Sequence, residues 1–208
     1  MARPCSPLAD ALASRFRSIE RTRSRVESLA SAGHVSVRAT EQVYEGLFLN
    51  TVTGFESFLE TLFIGLLVGG SNGLRSKHDV RARILVRSHG IAREIVLAPR
   101  QKYVDWLPYD KTLDQAERLF QGSRPFSLVS DPQTQLLDKA VKIRNAIAHK
   151  SRHSLSIFER FVIGNTPVGP RESTPAGYLR GLLMAAPPRT RFEDYASSLA
   201  AMARLLAK

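Results

Sequence analysis

The chain has 208 residues and a formal net charge of +11, from 30 Lys+Arg against 19 Asp+Glu. A hydrophobic content of 43% and a mean hydropathy of −0.15 are globular values, so wholesale disorder is excluded. The single cysteine, Cys5, excludes an internal disulfide and any cysteine-based zinc cluster, and fits a reducing, cytoplasmic compartment. A length of this order suggests one domain. The pI near 10.4 points to a polyanionic partner, either nucleic acid or an acidic membrane surface. Arginine outnumbers lysine 23 to 7, and its planar fork suits phosphate, although a GC-rich coding bias yields the same skew.

Arg15, Arg17, Arg21 and Arg23 interrupt any apolar core of the kind a secretory signal needs, and Asp10, Glu20 and Glu27 argue against an organellar transit peptide. Ser6-Pro7 reads as the start of a first helix. Behind it, Leu12, Phe16, Ile19, Val26 and Ala30 form one apolar stripe. Arg23 falls on that stripe. Either it is buried and predicts a carboxylate on a neighbouring helix, or its stem packs while its head reaches water.

A second helix is expected from about Ser36 to Val68, with Tyr44, Phe48, Val52, Phe55, Leu59, Leu62 and Leu66 as its main stripe. A helix this apolar sits at the centre of a bundle. Its stretch from Leu47 to Gly70 is long enough for a membrane span, but Asn50, Glu56 and Glu60 make that costly, so no membrane crossing is expected. Glu45, Glu56 and Glu60 share one line beside the stripe and each calls for a cationic partner. Gly69, Gly70 and Gly73 end the helix.

Val80, Ala82, Ile84 and Val86 alternate with Arg81, Arg83 and Arg87 as a strand, and with a turn at His89-Gly90 and a return over Ile95 to Leu97 residues 80–98 read as a hairpin, with a helical reading nearly as good. A third helix is predicted from Lys102 to Gln121, with Asp110 as an internal cap. Asp131-Pro132 opens another. A short helix follows around Leu155 to Ile163, then a Gly/Pro-rich loop over Gly164 to Pro175. Gly177 to Ala185 reads as a short helix, and Thr190 with Glu193 makes a capping box for a last one, Phe192 to Ala207. The architecture is mainly α, with a helical bundle over residues 1–163 and a C-terminal helical extension over 164–208 packed on the same domain.

Chemistry concentrates in the string RNAIAH, which holds Arg144, Asn145 and His149. Leu136, Ala140, Ile143 and Ile147 form the buried stripe of that helix. Asp138, Lys142, Asn145, His149 and Arg152 fall on the opposite face, with Arg144 on the flank. Arg144 and His149 lie roughly 140° apart around the axis and ~7.5 Å along it. They cannot stack directly, yet they can grip one group from two sides, which suits a phosphate better than a metal. A histidine near a helix C-terminus, followed by Lys150 and Arg152, is also favourable through the dipole alone. His149 and His153 have the H-x-x-x-H spacing of metal sites, but no acidic residue lies close by in sequence, so neither a metal nor another cofactor is expected.

RNAIAH, late in a helix and downstream of a central helix with embedded glutamates, resembles the R-x(4–6)-H signature of the HEPN superfamily, in particular bacterial HEPN proteins of the RiboL-PSP type. GFESFLETLF is a weaker supporting match. The resemblance covers roughly residues 8–163. It implies a helical bundle that forms a homodimer with two Arg/His motifs facing one cleft. It further implies a metal-independent endoribonuclease acting on RNA, in several relatives a toxin or phage-defence component with an antitoxin partner. In other relatives the module binds without catalysis. The roles it implies are His149 as general base or acid, Arg144 against the phosphate, Asn145 positioning phosphate or ribose, and Glu56 (Glu60 as second choice) orienting the pair. Lys142, Lys150 and Arg152 would hold substrate. The hairpin and the helices after 175 depart from a minimal bundle.

Overall fold

Helices dominate wherever apolar residues recur at intervals of three and four. The computed structural model describes residues 2–97 and 104–208. Its helices are α1 (Ser6–Ser31), α2 (Val37–Leu67), α3 (His89–Val96), α4 (Tyr109–Leu119), α5 (Asp131–His149), α6 (Arg152–Phe158), α7 (Pro175–Arg180) and α8 (Arg191–Leu206). Strands are short: β1 (Arg3–Pro4) pairs in parallel with β2 (Leu74–Arg75), and β3 (Leu182–Ala185) pairs antiparallel with β4 (Pro188–Thr190). The mainly α expectation holds. No helix among the described residues is long and apolar enough to cross a membrane.

The chain divides into two compact units, each assembled from separated segments. One comprises residues 1–13, 55–137 and 200–208, and the other 14–54 and 138–199.

The first unit is built on an aromatic cluster. Phe63 of α2 packs on Trp106, Phe120 and Phe126 at centroid distances of 4.9, 5.0 and 4.9 Å. Tyr109, fully buried, donates its hydroxyl to the Phe126 carbonyl at 3.0 Å, and burial pushes its phenol well up. Cys5 is also buried, and its thiol is pushed up to about 11, the state of an inert structural cysteine. Gly73 is fixed by crowding, since a Cβ there would run into the Val68 carbonyl. Glu60 finds the cation its position requires, at 3.1 Å from Arg93 of α3.

Two sequence expectations fail in this unit. No hairpin forms over the described part of 80–98. Ala82 and Val86 make only isolated bridges, to Phe120 and Val68, and residues 89–96 are helical. Ser88 caps α3 by accepting from the Ile91 amide, which commits the second half of the segment to helix. The third helix starts at Tyr109 rather than Lys102, because Pro108 sits at its N-cap and Asp110 falls in its first turn. Residues 102 and 103 lie outside the described residues.

In the second unit, Tyr44 and Phe48 of α2 meet Phe192 and Tyr195 of α8 edge to face, with centroids 5.5–6.2 Å apart. Thr190 and Glu193 form the expected capping box: Glu193 Oε2 accepts from the Thr190 amide at 2.7 Å, and the Glu193 amide donates to Thr190 Oγ1 at 3.3 Å. The predicted helix from Gly177 to Ala185 is corrected. It ends at Arg180, and Leu182–Ala185 turns back as β3 against β4. Paired leucines read as helix in sequence, but Pro187 and Pro188 place a turn there.

Arg23 is 7% exposed, which settles its two readings in favour of burial. Its guanidinium donates to Glu20 within α1 at 2.5 Å, to the Tyr44 hydroxyl at 2.9 Å and to Glu193 of α8 at 2.6 Å. A buried cation bereft of such partners is strongly destabilising, and so are carboxylates bereft of their cation. Arg23→Ala is expected to lower stability by about 2–4 kcal/mol in urea unfolding. Arg23→Met, which keeps the packed stem, recovers part of that loss. Unfolding midpoints within experimental error of the parent for both variants would contradict the assigned role.

Candidate functional site

Helix α5 carries the RNAIAH string, and its apolar face fixes the orientation of the rest. Ala140, Ile143, Ala146 and Ile147 are buried, which leaves Lys142, Arg144 and Asn145 half-buried and His149 exposed. Asn145 and His149 lie one turn apart on the same strip. His149 is the last residue of the helix. Its imidazole has no hydrogen-bond partner among the described residues of its unit.

The helix stops there for a local reason. Lys150 takes a left-handed conformation at φ 49°, costing a non-glycine residue on the order of 1 kcal/mol. Two contacts hold it. Its amide donates to the Ala146 carbonyl at 3.1 Å, and its ammonium bonds Glu45 of α2 at 2.7 Å. Ser151 then begins α6 with a reciprocal cap, accepting from the Ser154 amide at 3.1 Å while Ser154 Oγ accepts from the Ser151 amide at 3.2 Å.

The break at Lys150 corrects one expectation. Arg152 does not extend the α5 face, because it opens α6, and His149 and His153 do not share a helix. Lys142 stays on the α5 strip, with its ammonium 6.0 Å from the ring centroid of Phe161. Lys150 is near His149 in sequence but paired with Glu45, the partner that Glu45 called for. That pair is surface-exposed at its lysine end and worth at most about 1 kcal/mol. Glu56 belongs to the other unit, half-buried on α2. Among the described residues no group of three or more His, Cys, Asp or Glu is placed to hold a metal.

A second polar feature escaped the sequence reading. A cavity of about 380 Å³ is lined by Arg23, Glu27, Glu41, Arg171, Glu172 and Arg180, with Gly177 and Gly181 in its wall. Arg180 grips Glu27 with two bonds, at 2.8 and 3.1 Å, and Arg191 binds Glu172 at 2.6 Å while stacking on Tyr178 at 4.6 Å. Gly177 is demanded by close approach, since a Cβ there would run into the Arg171 carbonyl, whereas one on Gly181 would meet the movable ends of the Arg191 and Glu172 side chains. The only sequence cue is Arg23, whose network continues into this wall.

The charges of this network set an acid limit on stability. The Arg180 hydrogen bonds hold Glu27 below the usual carboxylate range, against the opposing effect of burial. Burial pushes Glu193 up, but bonds from the Thr190 amide and hydroxyl and the charge of Arg23 outweigh it, and the net shift is downward. Burial likewise pushes the Tyr44 phenol up to about 12. A carboxyl depressed in the folded state stabilises the fold above its unfolded value of about 4.3, and the contribution is lost as pH falls through the lower folded value. The parent is therefore expected to lose stability between about pH 5 and 3 in urea titrations. Glu27→Gln starts less stable at about pH 6 and loses less on acidification; an acid loss equal to the parent's would contradict this.

No family model, no curated protein and no solved structure matches the chain, so the chemistry of the site stands on its residues.

Proposed function

We propose that this protein is a metal-independent endoribonuclease of HEPN type, with Arg144 and His149 at its centre. The observation that carries the reading is the placement of His149. Its imidazole is exposed and, among the described residues of its unit, without a hydrogen bond at the end of α5, one turn beyond Asn145 and one and a half turns beyond Arg144. Histidine titrates near neutral pH, with an unperturbed value of about 6.5, and is the side chain best suited to move a proton there.

In the proposed reaction His149 accepts the proton of a ribose 2′-hydroxyl, and the 2′-oxygen attacks the adjacent phosphorus. The bond from phosphorus to the 5′-oxygen breaks, and a protonated imidazole returns a proton to that oxygen. The products are a 2′,3′-cyclic phosphate and a 5′-hydroxyl. Arg144 offsets charge building on the phosphate, and Asn145 positions phosphate or ribose. Lys150 and Arg152 hold flanking phosphates, with Lys150 exchanging its Glu45 partner for one. The orienting role of Glu56 belongs to the same resemblance. One His149 per chain serves as acid and base together only in a homodimer with both copies in one cleft. A cytoplasmic toxin or defence role, with an antitoxin, follows the same resemblance.

A non-catalytic module that binds RNA, nucleotide or a protein partner is the second reading. It is favoured by Lys150 and Arg152, exposed just beyond the end of α5, which can bind phosphate with no proton transfer. The two readings part on one substitution. His149→Ala is expected to abolish cleavage of single-stranded RNA in EDTA, by at least about 10²-fold, while leaving the unfolding free energy in urea within about 0.5 kcal/mol of the parent. Cleavage by His149→Ala at the parent rate overturns the assignment. RNA binding without cleavage by the parent supports the second reading.

A further inference from the structure

Phe161 occupies the last turn of the helical run that follows α6, a π-helical segment from Glu159 to Ile163. Such segments are rare and occur frequently at functional sites. Here the next residue, Val162, is buried, whereas Phe161 is 51% exposed. A phenyl ring half in water forgoes part of the burial such a side chain normally contributes, and its exposed part is available for contact.

Two cations flank the ring. The Arg160 guanidinium lies 5.1 Å from its centroid and the Lys142 ammonium 6.0 Å. Among the described residues neither group is engaged in an ion pair. Lys142 stands at the outer limit of a cation–π contact, so displacing it from the ring costs little. Lys142 and His149 are also seven residues apart on α5, hence on nearly the same strip and about 10 Å apart along the axis. Ring, cations and imidazole thus follow one edge of one unit.

We infer that Phe161, with Lys142 and Arg160, forms a stacking platform for a base of single-stranded RNA beside the phosphate held at Arg144 and His149. This inference rests on the ribonuclease reading and extends it to substrate class. The ring stacks on an unpaired base, whichever base it is, and the cations take the phosphates on either side of it. A base within a duplex has no open face to offer, so the platform selects unpaired RNA. Lys142 leaves the ring for a phosphate as the base arrives.

The test uses the full chain carrying His149→Ala, so that bound RNA is not turned over, and reads fluorescence anisotropy of a fluorescein-labelled single-stranded oligouridylate. Adding Phe161→Ala is expected to weaken binding about ten-fold. Adding Phe161→Trp keeps the affinity, and the new indole is quenched on binding, above the signal of Trp106. An abasic ribose-phosphate oligomer binds more weakly than oligouridylate, and its affinity is the same with and without Phe161→Ala. Equal affinity of Phe161→Ala for oligouridylate, or an equal loss with the abasic oligomer, overturns the platform while leaving the nuclease reading standing. Absence of any RNA binding by His149→Ala together with absence of cleavage by the parent overturns both.

Discussion

A guanidinium at 7% exposure is the constraint around which the second unit is organised. Arg23 cannot shed its charge, so the sequence must bring acceptors to it. It does so from three helices: Glu20 on α1, Tyr44 on α2 and Glu193 on α8. Glu193 serves twice, since its other oxygen closes the capping box at Thr190 and thereby sets where α8 begins. The same logic repeats at the Arg180–Glu27 and Arg191–Glu172 pairs. Apolar packing of Tyr44, Phe48, Phe192 and Tyr195 supplies the bulk of the contact, while the charged network fixes which registers of these helices are allowed.

Helix α5 ends in this unit with its chemistry set by where it stops. One residue, Lys150 in a left-handed conformation, ends the helix at His149 and leaves the imidazole at the end of the helix rather than along its side. The Glu45 ion pair and the Ser151 cap hold the break on either side. Arg144, by contrast, is half-buried on the flank of the helix. In the proposed reaction the imidazole at the helix end carries the proton and the guanidinium on the flank offsets phosphate charge.

Much of this is legible in the chain. Periodicity marks α1 and α2 closely, because their stripes are long and their ends carry caps or glycines. Arg23 on an apolar stripe narrows to two readings, a buried ion pair or a packed stem with its head in water, and the Thr190–Glu193 spacing announces the start of α8. The failures have physical causes. Residues 80–88 look like a strand because alternation alone does not supply a pairing partner, and only isolated bridges form there. Leu182–Ala185 looks helical because its two-stranded pairing depends on a turn whose register no local pattern fixes. Of the site, the α5 face is readable up to His149, where the end of the helix depends on Lys150, a residue with no turn propensity of its own. The cavity of arginines and glutamates and the contact of Lys142 with Phe161 are not readable, because they join residues distant in sequence through side-chain contacts.

The central claim is that an imidazole on α5 draws a proton from ribose. The most direct measurement gives the purified protein, in EDTA near neutral pH, a single-stranded oligoribonucleotide or the same oligomer with 2′-deoxyribose at the cleaved position, and reads the products by mass. The account predicts fragments ending in a 2′,3′-cyclic phosphate and a 5′-hydroxyl from the first oligomer, and none from cleavage at that position in the second. Cleavage of the 2′-deoxy position at an equal rate, or 3′-hydroxyl and 5′-phosphate ends, would contradict it.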